Sequence, residues 1–131
     1  MFIDASALTA LLTDENDARE LLSRMQQAPT RVTSPLAVWE AVIAVARILA
    51  LEISEAAGAV ERYLTLMEIE TVSVPPETAG IALDAFARYG KGRHPARLNF
   101  GDCFAYACAR HFGQPLMFKG GNFPRTDIEA A

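Results

Sequence analysis

Leu98-Asn99-Phe100-Gly101-Asp102-Cys103-Phe104-Ala105-Tyr106-Ala107 is the stretch on which the reading of this chain turns. Asn is a favoured helix N-cap, so Asn99 predicts a helix from Phe100 to about Phe112, and Gly113 ends it. Asp102 falls in the first turn of that helix. Pro115–Phe118 follows at once and is short, apolar and strand-like. A helix that hands over directly to an apolar strand is one unit of an alternating α/β pattern.

Upstream, the pattern repeats. Phe2-Ile3 is a short apolar strand closed by Asp4, and Ala5–Leu12 carries helical apolar spacing. Asp14-x-x-Asp17 starts a helix to about Gln27, with Leu21, Leu22 and Met25 inward, and Pro29 stops it. Arg31–Thr33 is β-like. Ser34-Pro35 is a strong helix start, because Ser caps and Pro suits the first helical position. That helix runs to about Leu51, with Val38, Val42, Val45 and Leu49 on one stripe. Ser54 caps another helix through about Met67, and Ile69–Val74 is a strand. Pro75-Pro76 ends it and opens a helix to Tyr89, closed by Gly90. Lys91–Leu98 is a basic loop with Gly92 and Pro95, and Gly120-Gly121 is a turn. Strands separated by helices predict a parallel sheet between two helical layers.

The 131 residues fit one domain spanning 1–131, with 51% hydrophobic and 21% charged side chains. No apolar run reaches the roughly 18 residues of a membrane span, and no basic segment precedes the first strand; a cytoplasmic location is expected. Cys103 and Cys108 lie five apart on one helix, so they point in different directions and are expected as buried, reduced thiols. The net charge is −4, which does not favour nucleic acid, but the distribution is uneven. Between residues 85 and 125 there are seven bases, Arg88, Lys91, Arg93, Arg97, Arg110, Lys119 and Arg125, against one acid, Asp102. A basic C-terminal third suits phosphate contacts, or balances an acidic half.

In open parallel sheets ligands collect beyond the carboxyl ends of the strands. Asp4 follows the first strand, Glu40 lies in the second turn of the Ser34 helix, and Asp102 opens the Asn99 helix. All three fall on that rim. Converging carboxylates repel one another without a cation, and hard oxygen donors suit Mg²⁺ or Mn²⁺. Each acid has a plainer role: Asp102 beside a helix N-terminus, Glu40 as a surface residue, Asp4 as a strand end. Ser6 either caps the first helix or bonds a ligating carboxylate; Asn99 is a cap first and a hydrogen-bond donor to such a carboxylate second. Trp39 and Tyr106 are expected in the core. Neither His94 nor His111 has a histidine partner at metal spacing, and His94 sits in the basic loop.

With these residues in place, the chain resembles the VapC-type toxins of the PIN-domain ribonuclease family over nearly its whole length. The matching pieces are Phe2-Ile3-Asp4-Ala5-Ser6, Thr33-Ser34-Pro35-Leu36-Ala37-Val38-Trp39-Glu40, Leu98–Ala107, and Pro115-Leu116-Met117-Phe118-Lys119-Gly120 with Thr126-Asp127-Ile128. The resemblance implies an α/β PIN-like three-layer α/β/α sandwich with a central parallel sheet. It implies a Mg²⁺- or Mn²⁺-dependent endoribonuclease, the toxin of a type II toxin-antitoxin system. It also implies a homodimer and a VapB-type antitoxin whose C-terminal segment lies over the acidic site. The family's first three acids map to Asp4, Glu40 and Asp102. Where many relatives carry a fourth acid after the final strand, this chain has Asn122, with Asp127 five residues on as a possible substitute. Arg93, His94, Arg97 and Lys119 are candidates for the RNA phosphate track.

Other readings remain. Haloacid-dehalogenase-type phosphotransferases need a second Asp two positions after the first, and position 6 is Ser. A receiver domain needs an acidic pair before a central phosphoacceptor strand, and there is none. A PIN-like interaction module of weakened activity is favoured by Asn122, and a DNA nuclease of the same fold would use the same acids.

Overall fold

The computed structural model describes residues 1–131. In chain order the elements are β1 (Phe2–Ile3), α1 (Ala5–Leu12), α2 (Ala18–Gln27), β2 (Val32–Thr33), α3 (Pro35–Leu49), α4 (Ile53–Leu66), β3 (Glu70–Thr71), α5 (Thr78–Tyr89), α6 (Phe100–His111) and β4 (Leu116–Met117). A 3₁₀ turn covers Phe123–Arg125. The strands form one sheet in the order β3-β2-β1-β4, and every pairing is parallel.

Register explains the two cores. Phe2 pairs with Leu116 and Ile3 with Met117. Successive strand residues face opposite sides of a sheet. Phe2 and Leu116 therefore pack together against Ala82 and Ala85 of α5 and Tyr106 of α6. Ile3 and Met117 pack on the other face with Leu8 of α1, Val42 and Val45 of α3 and Val60 of α4. All four strand side chains are fully buried, each contributing about 1.5–3 kcal/mol of transfer free energy. A one-residue slip of β1 would exchange the two sets and expose the mismatch. Thr33 holds β2 to β1 from inside, its hydroxyl donating to the Ile3 carbonyl at 2.8 Å.

The helix ends show where local chemistry acts. Ser34 caps α3, accepting from the Ala37 N–H, with Pro35 at the first position. That helix ends at Leu49 rather than Leu51, with Ala50 in the left-handed region (φ 53°). The cap of α4 is Glu52, not Ser54. Glu52 and Glu55 make a reciprocal capping box, which fills two backbone donors where one serine hydroxyl fills one. The expected strand at 69–74 shrinks to Glu70–Thr71, both exposed at the edge of the sheet. On α3, Val42 and Val45 are buried, Val38 is partly buried and Leu49 is exposed. That stripe is thus mostly buried in the core. No helix is long and apolar enough to cross a membrane.

Candidate active site

The carboxyl ends of β1, β2 and β4 open onto one rim, and the chain leaves each strand there into a segment with a polar side chain. Asp4 follows β1 directly. Its backbone is extended and its side chain caps α1, accepting from the Ser6 N–H at 3.1 Å. The expectation that Ser6 caps this helix is corrected: an extended residue just ahead of the first turn can reach the free N–H groups, and Ser6, already inside the helix, cannot. Ser6 instead donates its hydroxyl proton to Asp4 Oδ2 at 2.5 Å.

Glu40 lies on α3, two turns from its capped start. Asp102 sits at the third position of α6 and forms a capping box with Asn99: Asn99 Oδ1 accepts from the Asp102 N–H at 2.8 Å, and Asp102 Oδ2 accepts from the Asn99 N–H at 3.1 Å. The two helices meet at Gly101. A Cβ at this position would run into the Glu40 carboxylate, so only glycine lets Glu40 lie across the start of α6.

The three acids sense one another. Asp4 is buried, and desolvation pushes its carboxyl up to about 6 against the opposing pull of its Ser6 hydrogen bonds, with Asp102 adding repulsion. Glu40 is pushed up to about 7 by burial, then by the charges of Asp4 and Asp102. Asp102 is raised by burial, opposed by its Asn99 hydrogen bond. None of the ion pairs in the molecule involves any of them. Three desolvated carboxylates without a cationic side chain are a donor set for a hard divalent cation. They do not close into a ready-made cage. Mg²⁺ keeps several of its waters and needs only one or two carboxylates from a protein, so the chemistry of this donor set, rather than a closed cage, is what suits it.

The sequence matches the PIN domain family model over residues 1–129. The chain belongs to the PIN-domain family. It is 42% identical to Ribonuclease VapC of Mycolicibacterium smegmatis, over 99% of this chain and 98% of that protein. It is 38% identical to Ribonuclease VapC30 of Mycobacterium tuberculosis, over 98% of this chain and 95% of that protein. Among solved structures it resembles Mycobacterium tuberculosis VapC20, described as a sarcin-ricin loop cleaving toxin. There the TM-score is 0.77 at 18% identity, covering 99% of this chain and 97% of that one, a likeness of fold.

In this PIN domain the segment after β4 returns to the acids. The Asn122 side chain faces the Asp102 carboxylate. Asp127 does not. Its Oδ1 accepts from the Tyr106 hydroxyl at 2.6 Å, and its Oδ2 meets Arg110 at 2.7 Å and Arg88 at 3.1 Å. Those partners hold its carboxyl well below the usual range, and they tie the C-terminal tail to α5 and α6. Both Asp127 oxygens are thus engaged by Tyr106, Arg110 and Arg88 rather than turned toward the three acids. Lys119 is also committed. Its ammonium pairs with Glu15 and, at 3.3 Å, with Asp17 Oδ1, and its backbone N–H donates to Ser6 Oγ at 3.0 Å.

Arg93 and Arg97 are exposed, and with Lys91 and His94 they line a concave surface formed by the loop from Gly90 to Leu98. His94 Nδ1 accepts from the Ala96 N–H at 3.0 Å, which fixes the ring inside the loop. Gly90 and Leu98 bridge to each other, so the loop feeds directly into the Asn99 cap. Trp39 corrects the expectation of a core residue: it is 66% exposed, and with Phe100 it flanks a pocket that also contains Glu40 and Asn99. Tyr106 is buried as expected, and both cysteines are buried and free.

The sequence reading missed Gly101, Glu15 and Asp17. Gly101 carried a usable signal, since glycine inside a helix costs about 1 kcal/mol against alanine and asks for a reason. The two acids carried none: in a D-E-N-D run they read as a helix start.

Proposed function

We propose that this PIN domain is the toxin of a toxin-antitoxin pair and a divalent-metal-dependent endoribonuclease acting on RNA at Asp4, Glu40 and Asp102. The observation that carries the proposal is the meeting of three unpaired, partly desolvated carboxylates from three separate elements on one rim. It is joined by relatives that are VapC ribonucleases over their whole length.

A Mg²⁺ or Mn²⁺ ion bound there would supply Lewis acidity toward a phosphoryl oxygen and acidify a water. The protein's part is positioning. Ser6 occupies Asp4 Oδ2, which leaves the other oxygen for a cation. Asn99 occupies Asp102 Oδ2 in the same way. Glu40 is pushed up to about 7 by burial and by the charges of Asp4 and Asp102, and a bound cation would relieve that repulsion and favour the ionised, ligating form. Asn122 adds an amide without charge beside Asp102, so the fourth position contributes a neutral donor or acceptor. Arg93, His94 and Arg97 form the phosphate track; Lys119 does not belong to it, because its charge is taken up by Glu15 and Asp17.

Trp39, Leu83, Phe86 and Phe100 are exposed on α3, α5 and α6 around the site. A second copy of the chain and a VapB-type antitoxin are the partners proposed to bury such surface.

The test is cleavage by the chain purified free of any partner, in Mn²⁺, in Mg²⁺ and in EDTA, beside Asp102→Asn, with single-stranded DNA as a control. Metal-dependent cutting of RNA that disappears in the variant is expected. Cutting of DNA alone would make it a DNA nuclease. No cutting by the folded protein would leave an interaction module.

A further inference from the structure

We infer that Lys119 is a positioning residue whose ammonium, held by Glu15 and Asp17 of the α1–α2 turn, fixes the segment that braces the metal-site carboxylates. The inference rests on the three-acid reading above. Residues 119 to 122 touch that site at both ends. At one end the Lys119 N–H donates to Ser6 Oγ at 3.0 Å, and Ser6 donates to Asp4 Oδ2 at 2.5 Å. A hydroxyl has a single proton, and a backbone N–H can only donate. With Lys119 filling an acceptor site on Ser6, the serine proton is directed onto Asp4. At the other end Asn122 faces Asp102.

Between these ends lie Gly120, with φ of 107°, and Gly121, neither of which stiffens the chain. The segment therefore depends on its anchors. Phe123, buried in the α5–α6 core, is one. The Lys119 ammonium is another, and it crosses 104 residues of sequence to reach Glu15. Asp17 Oδ1 is buried, makes no hydrogen bond, and has the ammonium 3.3 Å away. None of Asp4, Glu40 and Asp102 is within ion-pair distance of Lys119. The lysine thus acts through Ser6 rather than by neutralising the acids.

The double variant Glu15→Gln/Asp17→Asn separates this from a role in RNA binding, because it releases the lysine and keeps its charge. Mn²⁺ binding is measured without RNA by electron paramagnetic resonance, and cleavage is measured separately. The expected result is a roughly 10- to 100-fold weaker Mn²⁺ affinity and a similar fall in kcat, the range for groups that orient metal ligands, with KM for RNA unchanged. Lys119→Met should match it, and Lys119→Arg should retain most of the wild-type affinity. A folded double variant with wild-type Mn²⁺ affinity, or one whose only change is in KM, overturns the inference. If the double variant fails to fold, Asp17→Asn, which keeps the Glu15 pair, is decided by the same Mn²⁺ measurement. A wild-type chain that neither binds Mn²⁺ nor cuts RNA would instead overturn the nuclease reading, whatever the variants do.

Discussion

Gly101 and Glu40 occupy one space: a Cβ on Gly101 would sit where the Glu40 carboxylate lies. In an ordinary helix, replacing glycine with alanine stabilises by up to about 1 kcal/mol. Here Gly101→Ala must displace a carboxylate of the site. The Glu40 side chain can swing aside at little cost to the fold, so the expected outcome is a folded variant with a fall of at least about tenfold in cleavage and Mn²⁺ affinity. A more stable variant that cuts RNA at the wild-type rate would show that Glu40 is not needed where it stands.

Acidity should control the site in a defined direction. Asp4 and Glu40 rise from ordinary values of 3.8 and 4.5 to about 6 and about 7. Between those limits the folded chain keeps protons that the unfolded chain has released. The stability these two groups contribute without metal is therefore largest below about pH 4 and declines as pH rises through about 4 to 7. Mn²⁺, which binds the deprotonated forms, opposes that decline, and its apparent affinity climbs until both groups are ionised. Melting curves in EDTA and in Mn²⁺ from about pH 5 to about pH 8 check both slopes. Parallel, flat curves would contradict them.

Asn122 offers a gain-of-charge experiment. Asn122→Asp places a fourth carboxylate beside Asp102. Mn²⁺ affinity should rise, and the melting temperature in EDTA should fall through added repulsion. Calorimetric titration with Mn²⁺ reads the first effect. An unchanged affinity would place residue 122 outside the ligand shell.

Asp127 should matter to stability alone. Its partners Tyr106, Arg88 and Arg110 join the tail to α5 and α6, but the carboxylate is 41% exposed and water-screened. Asp127→Asn should cost about 1 kcal/mol at neutral pH, a few degrees in melting temperature. The carboxyl is held below its usual range, so this contribution disappears in strong acid. Cleavage per folded molecule should stay at the wild-type level; a specific loss of catalysis would return Asp127 to the site.

The basic loop should be visible in salt. Arg93→Ala with Arg97→Ala should weaken RNA binding and flatten the dependence of log affinity on log salt. On a single strand the slope should fall by about 0.7 for each phosphate that an arginine no longer neutralises. Filter binding in EDTA, where no cleavage interferes, gives the slope. No change in slope would remove the loop from the RNA path.

The order of elements, the parallel sheet and the placement of Asp4, Glu40 and Asp102 on one rim were all legible in the sequence. They rest on local signals: apolar strands of fixed period, Asn99 and Ser34-Pro35 at helix starts, and a carboxylate placed just after a strand or in a helix's first turns. Meetings between distant segments were settled only by folding. The long-range pairing of Lys119 with Glu15 and Asp17 could not be read from a D-E-N-D run, and Asp127 was drawn to Tyr106, Arg88 and Arg110 instead of the acids. Trp39, apolar and on a helix with a buried stripe, was left outside because that stripe turns Val42 and Val45 inward and Trp39 to the rim. Periodicity tells which face of an element is apolar. Which charge meets which is set by the packing of segments far apart in the chain, where distance and burial, rather than sequence spacing, fix the energy of each pair.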